Sequence, residues 1–124
     1  MTKTSSFLVA MLFLALSQSL LAQNSSDPEP LLEFAAVYSN GEKWEAGKTP
    51  AEQPYFMDHS AFLFRLKQSG VITAGIKIAD KSIILFKAKS LEEAKKLFAP
   101  DVSVDEKTYK LEVQPATVFY KGCI

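Results

Sequence analysis

An α+β fold, with two helices on one face of a four-stranded antiparallel sheet, is what this sequence predicts. Three observations carry the prediction. Residues 54–70 repeat apolar side chains at helical spacing, residues 71–88 alternate as two strands about a short turn, and Ser90-Leu91-Glu92-Glu93 has the form of a helix-opening capping box.

The elements follow in order. Leu31 to Ser39 carries apolar residues on both alternating sets, Leu32, Phe34, Ala36 and Tyr38 against Leu31, Ala35 and Val37, as a well-buried strand does. Asn40-Gly41 ends it. The polar segment EKWEAGKTPAEQP, interrupted by Gly47 and Pro50, predicts a long loop bearing Trp44. In PYFMDHSAFLFRLKQSG, Tyr55, Phe56, His59, Phe62, Leu63 and Leu66 converge on one stripe, and Gly70 supplies a stop. Met57 and Phe64 fall on the opposite side.

Val71 to Ile78 and Ser82 to Ala88 form a hairpin about Ala79-Asp80-Lys81. A helix then runs from the Ser90 cap, with Glu93 reaching back to it, to about Phe98, and Pro100 confirms its end. A last strand spans about Tyr109 to Tyr120, in which Pro115 marks a bulge or an edge position because it has no N–H to donate.

Strand, helix, strand, strand, helix, strand is the βαββαβ order of a ferredoxin-like sandwich, with both helices on one face of the sheet. Ile83, Ile84, Leu85 and Phe86 are apolar on both sides of their strand, so the helix-free face also needs cover, and no further element of the chain is available to give it. A second copy is the economical cover, which predicts a homodimer packed sheet against sheet.

Ahead of the domain, residues 1–22 have the parts of a secretory signal: Lys3, an apolar run from Phe7 to Leu16, and a small residue at Ala22. Ser17, Gln18 and Ser19 interrupt the run well short of the roughly 20 apolar residues that a membrane-spanning helix needs. Export to periplasm or medium with cleavage after Ala22 is therefore expected, leaving a disordered leader at 23–30, a domain at 31–124, and no membrane attachment. The chain has 14 basic and 14 acidic residues, and Lys3 is the only charged residue of the signal, so the mature chain is near neutral. That balance excludes the electrostatic footprint of a nucleic-acid binder. The single cysteine, Cys123, rules out an internal disulfide.

The chemistry on offer is sparse. GEKWEAGKT, residues 41–49, has five residues between its glycines where a phosphate-binding loop needs four, and Pro50 follows at once where the helix should begin. One histidine and one cysteine, far apart, give no metal-ligand cluster, so no metal is expected. His59, at the centre of the apolar stripe, is the one group suited to acid or base work near neutral pH. It can equally be a core histidine satisfied by a single hydrogen bond.

The segments YSNGEKWEAGKTPAEQP, DHSAFLFRLKQSGVITAG, IILFKAKSLEEAKKLF and YKLEVQPATVFY, in this order and spacing, resemble the YciI-like family across nearly the whole mature domain. That resemblance implies a dimeric α+β barrel. It also implies that His59, matching the family's helix-one histidine, faces a cleft beside the sheet and works with an acidic residue in cofactor-free proton transfer of the isomerase or lyase type. Gly75-Ile76 departs from the glycine-proline pair common in the family. Ser39-Asn40 replaces the acidic residue often found where strand one ends, leaving Asp58 and Asp80 as candidates for the partner carboxylate.

Asp80, on the hairpin turn, is assigned with His59 to the catalytic pair, although aspartate there is ordinarily a turn former. Asp58 lies about 100° around the helix from His59 and is a poor direct partner; it is placed with Tyr38 and Trp44 as a ligand contact. The two aromatics can wall the cleft against a planar ligand or simply be buried against the fold. Two function classes thus stand: a small-molecule site with His59 as acid or base, and a non-catalytic binding or dimerisation module.

Overall fold

A computed structural model describes residues 28–122. The expected signal segment, the first part of the leader and Cys123 lie outside the described residues; Pro28 to Pro30 are exposed and without regular structure. Among the described residues no helix is long and apolar enough to cross a membrane.

The chain runs β1 (Leu32–Asn40), a short 3-10 turn (Pro50–Glu52), α1 (Phe56–Gln68), β2 (Ile72–Ile78), β3 (Lys81–Ala88), α2 (Leu91–Phe98), α3 (Val102–Asp105) and β4 (Tyr109–Pro115). The four strands form one sheet in the order β2-β3-β1-β4, antiparallel throughout. The fold is α+β and compatible with the ferredoxin-like arrangement.

Alternation along β1 decides which side of the sheet becomes the core. Phe34, Ala36 and Tyr38 pair in register with Phe86, Ile84 and Ser82 of β3 and with Pro115, Val113 and Leu111 of β4, so these sets share one face. On that face Phe62 of α1 and Ala94 and Phe98 of α2 close the core. Phe98, fully buried, stacks its ring 4.6 Å from Phe86 and 6.0 Å from Phe62. Each such buried aromatic contributes about 1.5–3 kcal/mol by leaving water.

α1 ends as its sequence requires. Gly70 takes φ +79°, and the amides of Gly70 and Val71 turn back to the carbonyls of Lys67 and Leu66, a Schellman closure that favours glycine at this conformation. At its start Tyr55 lies just outside the helix at φ 64°, so it does not extend the buried stripe and is 42 % exposed. α2 is capped by Ser90, whose hydroxyl accepts from the Glu93 amide at 3.1 Å. The expected reciprocal bond is shifted by one residue: Glu93 Oε2 accepts from the Lys89 amide, not that of Ser90.

Two further differences bear on the site. The segment after Pro100 folds into α3, a single turn capped by Asp101, whose side chain accepts from the Ser103 amide. And β4 stops at Pro115, where the missing N–H removes a ladder bond, instead of continuing to Tyr120. The following residues bend back: the Ala116 amide donates to the Glu33 carbonyl and the Val118 amide to Glu33 Oε2. Glu33 faces away from the helices, so this tail crosses one end of the sheet's other face, enclosing a hollow with Thr73, Ala74 and Leu85. The face is therefore not wholly bare. At the β2 edge, however, Ile76 and Ile78 remain 48 % and 57 % exposed.

Candidate functional site

The site is built where the ends of β1 and β4 meet the first turns of α1. His59 and Tyr38 both point into this corner from the helix and from the sheet, and their rings meet edge to face with centroids 4.8 Å apart. Tyr109, the first residue of β4, lies tilted by 30° against the imidazole, with ring centroids 4.6 Å apart. His59 is thus held between two aromatic rings and is only 7 % exposed.

The loop from residue 41 to residue 54 supplies the next wall. Gln53, buried, donates its amide to the Glu45 carbonyl at 2.8 Å and accepts from the Glu45 amide at 2.9 Å, so one side chain staples the loop closed. Gly41 brings the loop against the chain before β4: its amide donates to the Thr108 carbonyl at 2.9 Å, and a Cβ there would fall within 2.2 Å of the Lys107 carbonyl oxygen. Only glycine permits that approach. The result seats Trp44 edge-on against Tyr109, with ring centroids 5.5 Å apart.

The carboxylate beside His59 is Asp101. Its Oδ2 lies 2.7 Å from His59 Nδ1 and also accepts from the Tyr38 hydroxyl at 2.8 Å. Its Oδ1 accepts from the Ser103 hydroxyl at 2.6 Å and from the Ser103 amide at 3.1 Å. Asp101 has no exposed surface, and among the described residues no buried side-chain polar atom lacks a partner.

Burial alone would raise the carboxyl's pKa, but the bonds from His59, Ser103 and Tyr38, with the imidazole's charge, outweigh it and hold Asp101 below its usual value. An ionised carboxylate has no proton to give, so in the neutral form of the ring the bond to His59 fixes the hydrogen on Nδ1 and leaves the lone pair on Nε2. Tyr38 is displaced the other way: burial, then the charge and hydrogen bond of Asp101, raise its phenol far above the ordinary range.

The ring borders a cavity of about 350 Å³ whose walls include Trp44, Phe56, Leu63 and Tyr109, with Lys77, Asp80 and Ser82 contributed by the β2–β3 hairpin. That size falls within the range of small-molecule pockets. One wall residue, Ala79, holds φ 53°, as the first residue of the two-residue turn that joins Ile78 to Lys81. A larger open hollow of about 560 Å³ lies at the start of β1, lined by Leu31, Leu32, Phe34, Leu91 and Pro115 among others, and away from the histidine.

Of the residues singled out from the sequence, His59, Tyr38 and Trp44 are brought together around this cavity. Neither acidic candidate touches the imidazole. Asp80 lines the cavity from the exposed hairpin turn but makes no hydrogen bond or ion pair with His59, whose Nδ1 is taken by Asp101. Asp58 is exposed and is not among the cavity's walls, because the residue next to His59 on a helix points elsewhere. Asp101, Ser103 and Tyr109 were missed. Among the described residues no group of three or more His, Cys, Asp or Glu side chains is placed to hold a metal.

Fold and site together define a small α+β protein with a buried histidine–aspartate pair at the edge of an aromatic-walled cavity. Compared with protein-family models, curated proteins and solved structures, the chain matches none.

Proposed function

We propose that this chain is an exported YciI-like protein whose cavity binds a small planar organic molecule, and that His59, oriented by Asp101, moves a proton within that molecule without a cofactor. The observation that carries the reading is the 2.7 Å contact from Asp101 Oδ2 to His59 Nδ1 on a ring that borders the cavity. A histidine needed only for packing has no use for a buried carboxylate, whose desolvation is costly unless every lone pair is met. Here the carboxylate is held charged by four donors, and the effect is to present a basic nitrogen of fixed orientation.

The same reading includes a homodimer. Val37, Ala74, Ile76, Ile78, Ile83 and Leu85 share the helix-free face, and Ile76 and Ile78 are the part that the tail does not reach. Two copies apposed there would remove that apolar surface from water.

The test of the site is proton exchange and ligand binding. The His59 ring resonances should shift on addition of members of a library of small planar carbonyl compounds, and the intact chain should speed deuterium uptake at carbon in those that bind. His59→Asn should abolish the exchange while leaving the fold's dispersion intact. Exchange that persists in His59→Asn removes the histidine from the chemistry; a His59 resonance unmoved by any compound supports a non-catalytic module instead.

A further inference from the structure

The walls of the cavity also narrow the chemistry that His59 could serve. A neutral imidazole is a weak base, and taking a proton from carbon next to a carbonyl leaves the electron pair on the carbonyl oxygen; the step is slow unless a donor waits for that charge. The lining offers hydroxyl, amide and ammonium donors on Tyr38, Asn40, Ser60, Lys77, Ser82 and Tyr109. Tyr38 is committed, since its hydroxyl donates to Asp101 at 2.8 Å. Lys77 and Asn40 are exposed side chains that water already solvates.

Tyr109 combines three features that the Ser60 and Ser82 hydroxyls do not combine. Its ring lies against the imidazole at 4.6 Å, so it borders whatever His59 touches. Its orientation is fixed by Trp44 on one side and by Tyr38, edge-on at 6.0 Å, on another. And its hydroxyl makes no hydrogen bond to protein among the described residues, in a neighbourhood where the other tyrosine is fully used.

We infer that the site takes an enolisable carbonyl compound and that Tyr109 is a catalytic residue, its hydroxyl donating to the carbonyl oxygen as His59 Nε2 removes a proton from the adjacent carbon. This rests on the proposed role of His59. The C–H electron pair forms a carbon–carbon double bond as the carbonyl π pair moves onto oxygen, giving an enolate. The Tyr109 hydrogen stays on the phenol and is shared with that oxygen. His59, now protonated, returns its proton to a carbon of the same conjugated system, so that substrate and product contain the same atoms and no oxidant or reductant is consumed.

Burial, and then the nearby charge of Asp101, raise the Tyr109 phenol above its ordinary value, which keeps it a donor through the neutral range. A phenol that stays protonated while hydrogen-bonded to an oxyanion stabilises the charge without neutralising it.

The probe is 4-nitrophenolate, a planar oxyanion that resembles an enolate, paired with 4-nitroanisole, which has the same ring and no charge. Both are titrated into the folded chain at a pH where the free phenol is ionised, with the His59 resonances as the readout. Tyr109→Phe should weaken 4-nitrophenolate about tenfold, the worth of a charge-assisted hydrogen bond, and leave 4-nitroanisole within about twofold. Equal weakening of the two probes, or of neither, would make Tyr109 only a wall and overturn the inference. If the phenolate fails to move His59 in the unaltered chain while the anisole does, the oxyanion role falls and the small-molecule site survives. If neither moves it, both fall.

Discussion

The hydroxyl of Tyr38 and the imidazole of His59 converge on one oxygen, Asp101 Oδ2, at 2.8 and 2.7 Å. Strand, helix and loop thus share a single negative charge, and each predicted behaviour of the site follows from removing one member of that group.

Asp101→Asn keeps the shape and removes the charge. The amide presents one oxygen and one NH2 where the carboxylate presented two acceptors, so the Tyr38 hydroxyl, the His59 ring and the Ser103 donors cannot all be met. A loss of about 1–3 kcal/mol of stability is expected for each donor left buried and unpaired, measured by urea unfolding. Nitrogen-15 spectra of the ring should change from a single Nδ1–H tautomer to a mixture. A ring that keeps its tautomer in this variant would show that Asp101 does not orient it.

Acid and alkali should each uncover one half of the network. Asp101 titrates lower folded than unfolded, so its contribution is complete above the unfolded value of about 3.9 and is lost as pH falls through the folded value. The unfolding midpoint should therefore drop on acidification below about pH 4, and less steeply in Asp101→Asn. Tyr38 is raised by folding, so its contribution is present below the unfolded value of about 10 and is lost as pH rises above it. The stability advantage of the unaltered chain over Tyr38→Phe should shrink above that pH.

Gly41→Ala should cost about 1–3 kcal/mol, since the new Cβ would fall 2.2 Å from the Lys107 carbonyl and force backbone apart from backbone. Trp44 fluorescence should report the displaced loop. Gly122→Ala, where an added Cβ meets nothing within 4 Å, is the control and should stay within about 0.5 kcal/mol of the unaltered chain.

Ile76→Lys should turn the proposed dimer into monomers, as read by sedimentation equilibrium, while leaving the domain folded, because this side chain is 48 % exposed in the single chain. A chain that sediments as a monomer before substitution would remove the dimer from the reading.

What the sequence disclosed and what it concealed divide along a physical line. α1 and its histidine were legible because a helix buries residues at a fixed period, and His59 falls on the same stripe as Phe62. The sheet was legible because alternation along β1 and β3 repeats every second residue. Asp101 was not. It opens a helix of one turn, too short to show any period, and Asp followed two residues later by Ser is an ordinary turn or cap pattern. Nothing in that pattern says that the second carboxylate oxygen looks inward. Tyr109 did leave a signal: it stands two residues before Leu111 and four before Val113, which share its face of β4. Ser39-Asn40 offers no acid where β1 ends, and the fold reaches instead to Asp101 in the loop after α2.

Asp101 lies 63 positions along the chain from Tyr38 and 42 from His59. Because the ring of contacts joins segments so remote in sequence, a partial opening that parts them would separate the proposed His59–Asp101 pair while helices and strands persist. The proposed proton exchange would then be a sharper gauge of an intact molecule than circular dichroism.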